Sequence, residues 1–492
     1  MKKETDMTVG NPFRLIGAFS FSLVVGNVFQ QLYTFVDTII IGRKIGPLGL
    51  AALVGTEWLI FLVNGIVIGL VQGFSILLGN CFGEKNEEAF DVYYRVSKKI
   101  CLLLAVVLTA CALLTSGMIL RLLGTKEEVY AMAKEYVNTI FLGIPFLTFY
   151  QLFSGALRSR GNSSIPLFAM TISSLINIVL DILFVNILGF GIAGAALATI
   201  LSECVVMVIC GYYFYQKKNA RLVLDFPLET PSEHSSEMDS FGTEKSSTLP
   251  KTSANDTGSH SHKDAAIAGK LCKMGIPMTL QSVITSIGGL IVVNRINQYD
   301  VTFLAGYSAA TKLYGLLEIA ASSFGLAAAA YVSQNYGANQ ILRIKKGVRA
   351  SIVMGVAVSL VCSGVMALGG QRILKLFITT SDASCEILQY GCRFLNILAL
   401  FFPFLYLLYI LRSSLQGTNQ AIIPMLSSFA QLAMRLLCAT VLTKFIGSDG
   451  IFLGEISAWL FADVILLTAY LTRIKRLSAA RPPAAGNREF VD

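Results

Sequence analysis

Histidine and metal-binding motifs are what this chain of 492 residues most lacks. Its three histidines, His234, His260 and His262, lie in one polar stretch, so none stands in an apolar run to relay protons or ligate a metal. The ten cysteines include no CxxC pair, which predicts neither a disulfide nor a metal framework. No G-x-x-x-x-G-K-[ST] segment or catalytic Ser/Lys pair occurs in the apolar runs, so we expect neither an ATP-driven pump nor an enzyme.

Charge is also scarce, at 14% of residues, whereas 54% are hydrophobic and the mean hydropathy is +0.65. The apolar runs reach the roughly 20 residues that cross a bilayer as a helix. The sequence therefore predicts an all-α polytopic membrane protein. Twelve transmembrane helices are expected near 13–41, 50–80, 98–123, 131–157, 164–188, 191–215, 271–297, 302–334, 348–370, 387–414, 420–446 and 450–472.

Most of the 39 lysines and arginines fall on the side of the membrane that would hold both termini and the long central loop. Cytoplasmic loops of membrane proteins carry an excess of Lys and Arg, which predicts that both termini are cytoplasmic. The net charge of +9 is thereby explained as a topology signal. No nucleic-acid partner is expected.

The chain contains two copies of one pattern, residues 13–215 and 271–472, with six runs in each. Gly83 and Pro145 of the first copy recur as Gly337 and Pro403 of the second. An even number of spans gives both copies the same orientation, so two six-helix repeats related by a pseudo-two-fold along the membrane normal are expected, with a substrate cleft between them. The predicted segments are a cytoplasmic N-terminus (1–12), an N-lobe (13–218), a disordered cytoplasmic linker (219–266), a C-lobe (267–474) and a cytoplasmic tail (475–492).

Four polar residues of the first copy are not repeated in the second; the aligned pairs are Asp37 with Gly289, Asn177 with Arg435, Asp181 with Ala439 and Thr199 with Ala458. Asp37, Asp181 and Thr199 lie six to eight residues from the outer ends of their spans, hence at a similar depth. Asn177 precedes Asp181 by one helical turn on the same face. Because the second copy folds without these residues, we interpret them as a cation-coupling site rather than as hydrogen bonds between helices.

The predicted site suits either of two small cations. A proton fits because burial and a neighbouring carboxylate both favour the protonated form of an aspartate. Sodium fits because it is a hard ion that prefers carboxylate, amide and hydroxyl oxygen. The sequence leaves both open and indicates no other cofactor.

Further acids lie in the spans without a clear role. Glu318, near the middle of span 8, could attract a cationic substrate or instead pair with Arg412 or Arg435. Glu57 in span 2 could likewise contact a cationic substrate. We treat both as candidate substrate contacts.

The segments VDTIIIGR (36–43), NIVLDILF (177–184) and GIAGAALAT (191–199) resemble the MATE family of multidrug and toxic compound extrusion antiporters. The resemblance covers nearly the whole chain outside the termini and the linker. It implies export of cationic amphipathic compounds in exchange for protons or sodium, with Asp37, Asn177, Asp181 and Thr199 at the cation site. The NorM-like branch has acids in spans 7 and 10, where this chain has only Glu386 at the outer edge of span 10, which favours the DinF-like branch of the MOP flippase superfamily.

The resemblance also implies a monomer in a bacterial plasma membrane. The alternative is a lipid-linked oligosaccharide flippase of the same superfamily. A flippase needs a basic cleft for anionic headgroups, and four arginines could provide one: Arg295, Arg393, Arg412 and Arg435.

Overall fold

In a computed structural model, the described residues are 4–224, 257–296, 298–375 and 384–479. Throughout them the chain forms helices and short connections and no strand. Eleven helices are long and apolar enough to cross a membrane, and a bent pair makes a twelfth span. Spans 1 to 12 are Pro12–Lys44, Pro47–Gly83, Glu87–Leu122, Glu127–Leu142 with Ile144–Ser159, Ser164–Ile187, Gly191–Leu224, Thr257–Ile296, Val301–Gly337, Ile341–Leu374, Ser384–Gly417, Ile422–Ile446 and Asp449–Ala479.

Several helix limits differ from the sequence prediction. Span 4 bends by 43° at Gly143, because Pro145 cannot donate to the helical ladder and the helix restarts with it in the first turn. Spans 6 and 7 extend into the predicted linker, as far as Leu224 and from Thr257, since helical hydrogen bonding continues beyond the bilayer. Residues 225–256 of the linker and 480–492 of the tail lie outside the described residues.

The backbone repeats between the two copies at its tightest turns. Lys85 and Asn339 both adopt left-handed φ angles, of 57° and 62°, after spans 2 and 8. Gly161 and Asn419 do the same after spans 4 and 10, with φ of 72° and 61°. Left-handed conformations are uncommon in residues other than glycine, so their recurrence at matched positions marks the same turn built twice.

Spans 2 and 8 cross in a reciprocal contact on the face that carries both described termini, which we call the termini face. A Cβ atom added to Gly83 would meet the carbonyl oxygen of Gln334, and one added to Gly337 would meet that of Asn80. Each glycine therefore packs on the residue three before its counterpart. Such an exchange of contacts arises when a two-fold axis passes between two equivalent helices.

Spans 1 and 7 each divide their packing between the lobes. On the termini face Ile16, Phe19 and Leu23 of span 1 join the C-lobe core, which surrounds Tyr406 and Trp459. Farther along, Ile41 of the same span packs against the N-lobe.

Span 7 has the mirrored arrangement. Leu271 joins the N-lobe core around Phe90 and Phe141, whereas Val292 and Ile296 join the C-lobe core. Spans 1 and 7 thus each pack against both lobes and connect them.

Gly337→Ala should destabilise the protein, because the new methyl group meets backbone of span 2 that cannot rotate away. We expect a loss of about 1 to 3 kcal/mol, measured as a lower melting temperature in detergent. Gly315→Ala in the same span is the control: a Cβ there meets nothing within 4 Å, and alanine favours the helix. Equal melting temperatures of the two variants would contradict the reciprocal crossing.

Candidate functional site

The predicted site residues lie where spans 1, 5 and 6 meet, in the half of the protein away from the termini face. Asp37 is one turn before Ile41, which packs with Val185 of span 5 and Ala195 of span 6. Asn177 and Asp181 are fully buried, and Asp37 is 6% exposed. Asp37 and Asp181 are close enough for their charges to interact.

A π-helical turn, Ile182–Ile187, begins directly after Asp181. Such turns widen the helix by one residue and often occur at functional sites. The second copy has a π-helical turn in the matching place, Cys438–Leu442, but no acid before it. The turn therefore belongs to the fold, and the first copy alone has placed a carboxylate beside it.

Most polar atoms of this cluster have no hydrogen-bond partner among the described residues. They are Oδ1 of Asp37, Oδ1 and Nδ2 of Asn177, and both carboxylate oxygens of Asp181. Buried polar groups in proteins are nearly always hydrogen-bonded, so five such atoms in one cluster require an explanation other than folding.

Thr199 differs from the other three residues. It is only half-buried, and its hydroxyl donates to the carbonyl oxygen of Ala195 one turn earlier, at 3.1 Å. The lone pairs of Oγ1 stay available to a ligand. Span 6, which packs against span 5, thus contributes a hydroxyl, and the four residues together offer oxygen ligands without nitrogen bases or thiolates.

Tyr136 of span 4 is a site neighbour that the sequence did not reveal. It is 8% exposed and lies within the electrostatic reach of both Asp37 and Asp181. A tyrosine in an apolar helix carries no signal of this kind, because most such tyrosines simply pack.

The two candidate substrate acids have protein partners. Glu57 Oε1 lies 3.5 Å from Nζ of Lys312 across the lobes, and both side chains are at least half exposed. Glu318 accepts a hydrogen bond of 2.9 Å from the hydroxyl of Tyr409, and no arginine pairs with it among the described side chains.

Two of the four arginines proposed for a basic cleft are neutralised by a carboxylate, and the other two are not. Arg435 pairs with Glu455 at 2.7 Å, Arg393 with Asp449, and Arg295 donates to Gln298 at 3.0 Å. The Nε and Nη2 atoms of Arg412 have no hydrogen-bond partner among the described residues. The same holds for both carboxylate oxygens of the buried Asp463.

Two acids of span 12, Glu455 and Asp463, were not among the predicted site residues. Their position inside a predicted span is the signal that points to them, because acids in transmembrane segments are costly and are usually paired or functional.

Comparisons with known proteins give one consistent result. The MatE family model matches residues 23–183 and 277–441, one stretch in each copy. The probable multidrug resistance protein YpnP of Bacillus subtilis is 25% identical over 95% of this chain and 97% of its own length. YoeA of the same organism, also a probable multidrug resistance protein, is 26% identical over 75% and 74%. An outward-facing MATE family transporter of the MOP superfamily superposes with a TM-score of 0.80 at 21% identity, covering 97% of this chain and 99% of its own.

Asp181→Asn should leave the melting temperature unchanged or raise it, because the fold gives the carboxylate no partner and a charged Asp within a bilayer costs about 2.5 to 3.5 kcal/mol. Glu455→Gln is the contrasting control. It leaves Arg435 buried and unpaired, which should cost about 3 to 5 kcal/mol. Melting of both purified variants in detergent measures the difference. If Asp181→Asn melts as early as Glu455→Gln, Asp181 is structural.

Proposed function

The chain belongs to the MATE family, and from that premise we propose that it is a secondary active multidrug exporter. It moves cationic amphipathic compounds out of the cell in exchange for protons or sodium ions by alternating access. Asp37, Asn177, Asp181 and Thr199 form the site of the coupling ion.

The observation that carries the proposal is the set of five buried, unpaired polar atoms in Asp37, Asn177 and Asp181. A small cation or a shared proton satisfies carboxylate oxygens that no protein group reaches. Hard oxygen ligands suit sodium, and two adjacent carboxylates suit a proton. The same geometry serves either ion.

Span 1 provides the mechanical link from this site to the lobes. Asp37 sits in the half of span 1 that packs on the N-lobe, whereas Ile16 and Phe19 belong to the C-lobe core. Neutralising Asp37 removes the charge that disfavours close packing of span 1 against span 5, so span 1 changes its packing. Because the other half of the same helix is fixed in the C-lobe, this change moves one lobe relative to the other.

The acids Glu318 and Glu57 are the groups we propose to meet a cationic substrate. Glu318 accepts a hydrogen bond from the hydroxyl of Tyr409 and forms no salt bridge among the described residues, so a cation can still pair with it. Glu57 is held by Lys312 through an exposed ion pair, and exposed pairs contribute less than about 1 kcal/mol. A substrate cation competes readily with such a pair.

The termini face is closed by hydrogen bonds between the lobes, and we propose that this face is cytoplasmic because most basic residues lie there. Gln334 Nε2 donates to the carbonyl oxygen of Ser159 at 2.8 Å, and Asn80 Nδ2 donates to Asn419 Oδ1 at 2.8 Å. The proposed setting is the plasma membrane of a bacterium, with a single chain as the working unit.

A short N-terminal segment, residues 5–8, lies across this closed face. A Cβ added to Gly161 of the N-lobe would meet the carbonyl oxygen of Thr5. Met7 is fully buried, its N–H donates to Gln334 Oε1 at 2.9 Å, and its carbonyl oxygen accepts from Arg343 at 3.1 Å. The segment therefore touches both lobes and has to leave before this face can open.

The flippase alternative receives less support from the site. Two of the four arginines that would hold an anionic headgroup, Arg393 and Arg435, are paired with carboxylates, whereas Arg295 bonds only to the neutral amide of Gln298. Pairing thus halves the positive charge that could recognise a lipid pyrophosphate.

The coupling site predicts a specific transport defect. Asp37→Asn and Asp181→Asn should each reduce gradient-driven efflux of a fluorescent lipophilic cation from proteoliposomes at least tenfold, because an amide cannot gain or lose the coupling charge. Proton and sodium gradients imposed separately identify the ion. Glu386→Gln, which removes an exposed acid from the second lobe, should keep wild-type rates. Full efflux by the Asp37→Asn, Asp181→Asn double variant would refute the proposal.

The N-terminal segment predicts a structural change on the termini face. Met7→Asp places a carboxylate in the C-lobe core, which should expel the segment because burying an unpaired charge costs several kcal/mol. Spin labels at Glu88→Cys and Lys345→Cys, in a background without native cysteines, should move apart. Val9→Asp is the control, since Val9 is 60% exposed. Identical distance distributions in the two variants would show that the segment does not hold the face closed.

A further inference from the structure

A second polar feature lies outside the coupling site, in a cleft of about 600 Å³ between spans 3 and 4 near the end opposite the termini face. Its lining contains two cations, Arg121 and Lys134, and no carboxylate. Among the described residues neither cation forms a salt bridge, although the acids Glu127 and Glu128 lie in the same turn region. The transport mechanism uses none of these side chains.

The two cations are held by a local arrangement around Gly117. The absent side chain at Gly117 leaves room for Tyr130, whose hydroxyl lies 2.8 Å from the position a Cβ would take, and for Lys134, whose Nζ lies 3.7 Å from it. Tyr130 donates to the carbonyl oxygen of Gly117 at 3.3 Å and so joins spans 3 and 4. The guanidinium of Arg121, one turn farther along, lies over the Tyr130 ring at 5.2 Å.

The walls of the cleft indicate where its ligand comes from. Leu114, Met118 and Leu122 are 83%, 66% and 73% exposed, and they lie in a span that must face lipid. The apolar strip ends at two cations and a tyrosine near the end of a membrane helix. This order of apolar and then charged groups is complementary to a phospholipid, whose acyl chain leads to an anionic headgroup.

The second copy makes a useful contrast. Span 9 ends in a similar basic sequence, with Arg372 and Lys375, both exposed. Arg393, near the position that matches Lys134, is paired with Asp449. In the first copy, by contrast, cations from both helices, Arg121 of span 3 and Lys134 of span 4, are unpaired among the described residues and line one cleft.

We propose that Arg121 and Lys134, with Tyr130, bind the phosphate of an anionic phospholipid whose acyl chain lies along Leu114, Met118 and Leu122. The phosphate accepts from both cations, and the lipid packs against the N-lobe next to the bent span 4. This site is independent of the coupling ion and of the exported compound.

Titration of the purified protein in detergent with phosphatidylglycerol tests the proposal, with the melting temperature as the readout and phosphatidylcholine as the neutral reference. Phosphatidylglycerol should raise the melting temperature above the reference. In the variant Arg121→Gln, Lys134→Gln the lipid concentration at half of the shift should rise about 25-fold, since each cation near a membrane surface contributes about fivefold. Arg372→Gln, Lys375→Gln should titrate like the wild type.

A charge-preserving variant separates binding from folding. Arg121→Lys, Lys134→Arg should keep the preference for phosphatidylglycerol even if its basal melting temperature changes. Equal responses to the two lipids, or an unchanged titration of the Gln variant, would overturn the site. A comparable shift with glycerol 3-phosphate alone would show that the cleft binds a soluble phosphate and would overturn the lipid assignment.

Discussion

The division of span 1 between the two lobes is the constraint on which the rest of the molecule depends. Its inner residues Ile16 and Phe19 are part of the C-lobe core, and Ile41 is part of the N-lobe. Span 7 is divided in the mirrored sense through Leu271 and Val292. A packed helix interior resists continuous deformation, so a change at one end of such a helix is transmitted to the lobe that holds the other end. Packing of spans 1 and 7 on both lobes also keeps the lobes associated.

The division of span 1 between the lobes gives the buried acids Asp37 and Asp181 a role. Asp37 and Asp181 would be a burden to a helix bundle that had no use for them, because a charged carboxylate in a membrane interior is costly and no side chain compensates them here. Elsewhere in the same protein the buried charge of Arg435 is compensated directly by Glu455. The fold therefore has the means to pair buried charges and leaves the first-lobe pair available to a ligand.

Much of this could be predicted from the sequence, and the failures have physical reasons. The twelve apolar runs predicted the number of spans, because bilayer thickness sets the length of a transmembrane helix. The matched glycines Gly83 and Gly337 predicted the repeat. The grouping of Asp37 with Asn177 and Asp181 followed from helical periodicity and depth. Tyr136 and the divided packing of span 1 could not be predicted, since both depend on which helices touch.

The crossing of spans 2 and 8 has a consequence for the number of conformations available. Gly83 rests on the backbone of Gln334 while Gly337 rests on that of Asn80, and the two contacts lie on either side of the same axis. Any tilt of one lobe that separates one pair separates the other at the same time. Opening on this face therefore gives up both backbone contacts together, along with the hydrogen bonds that join the lobes beside them.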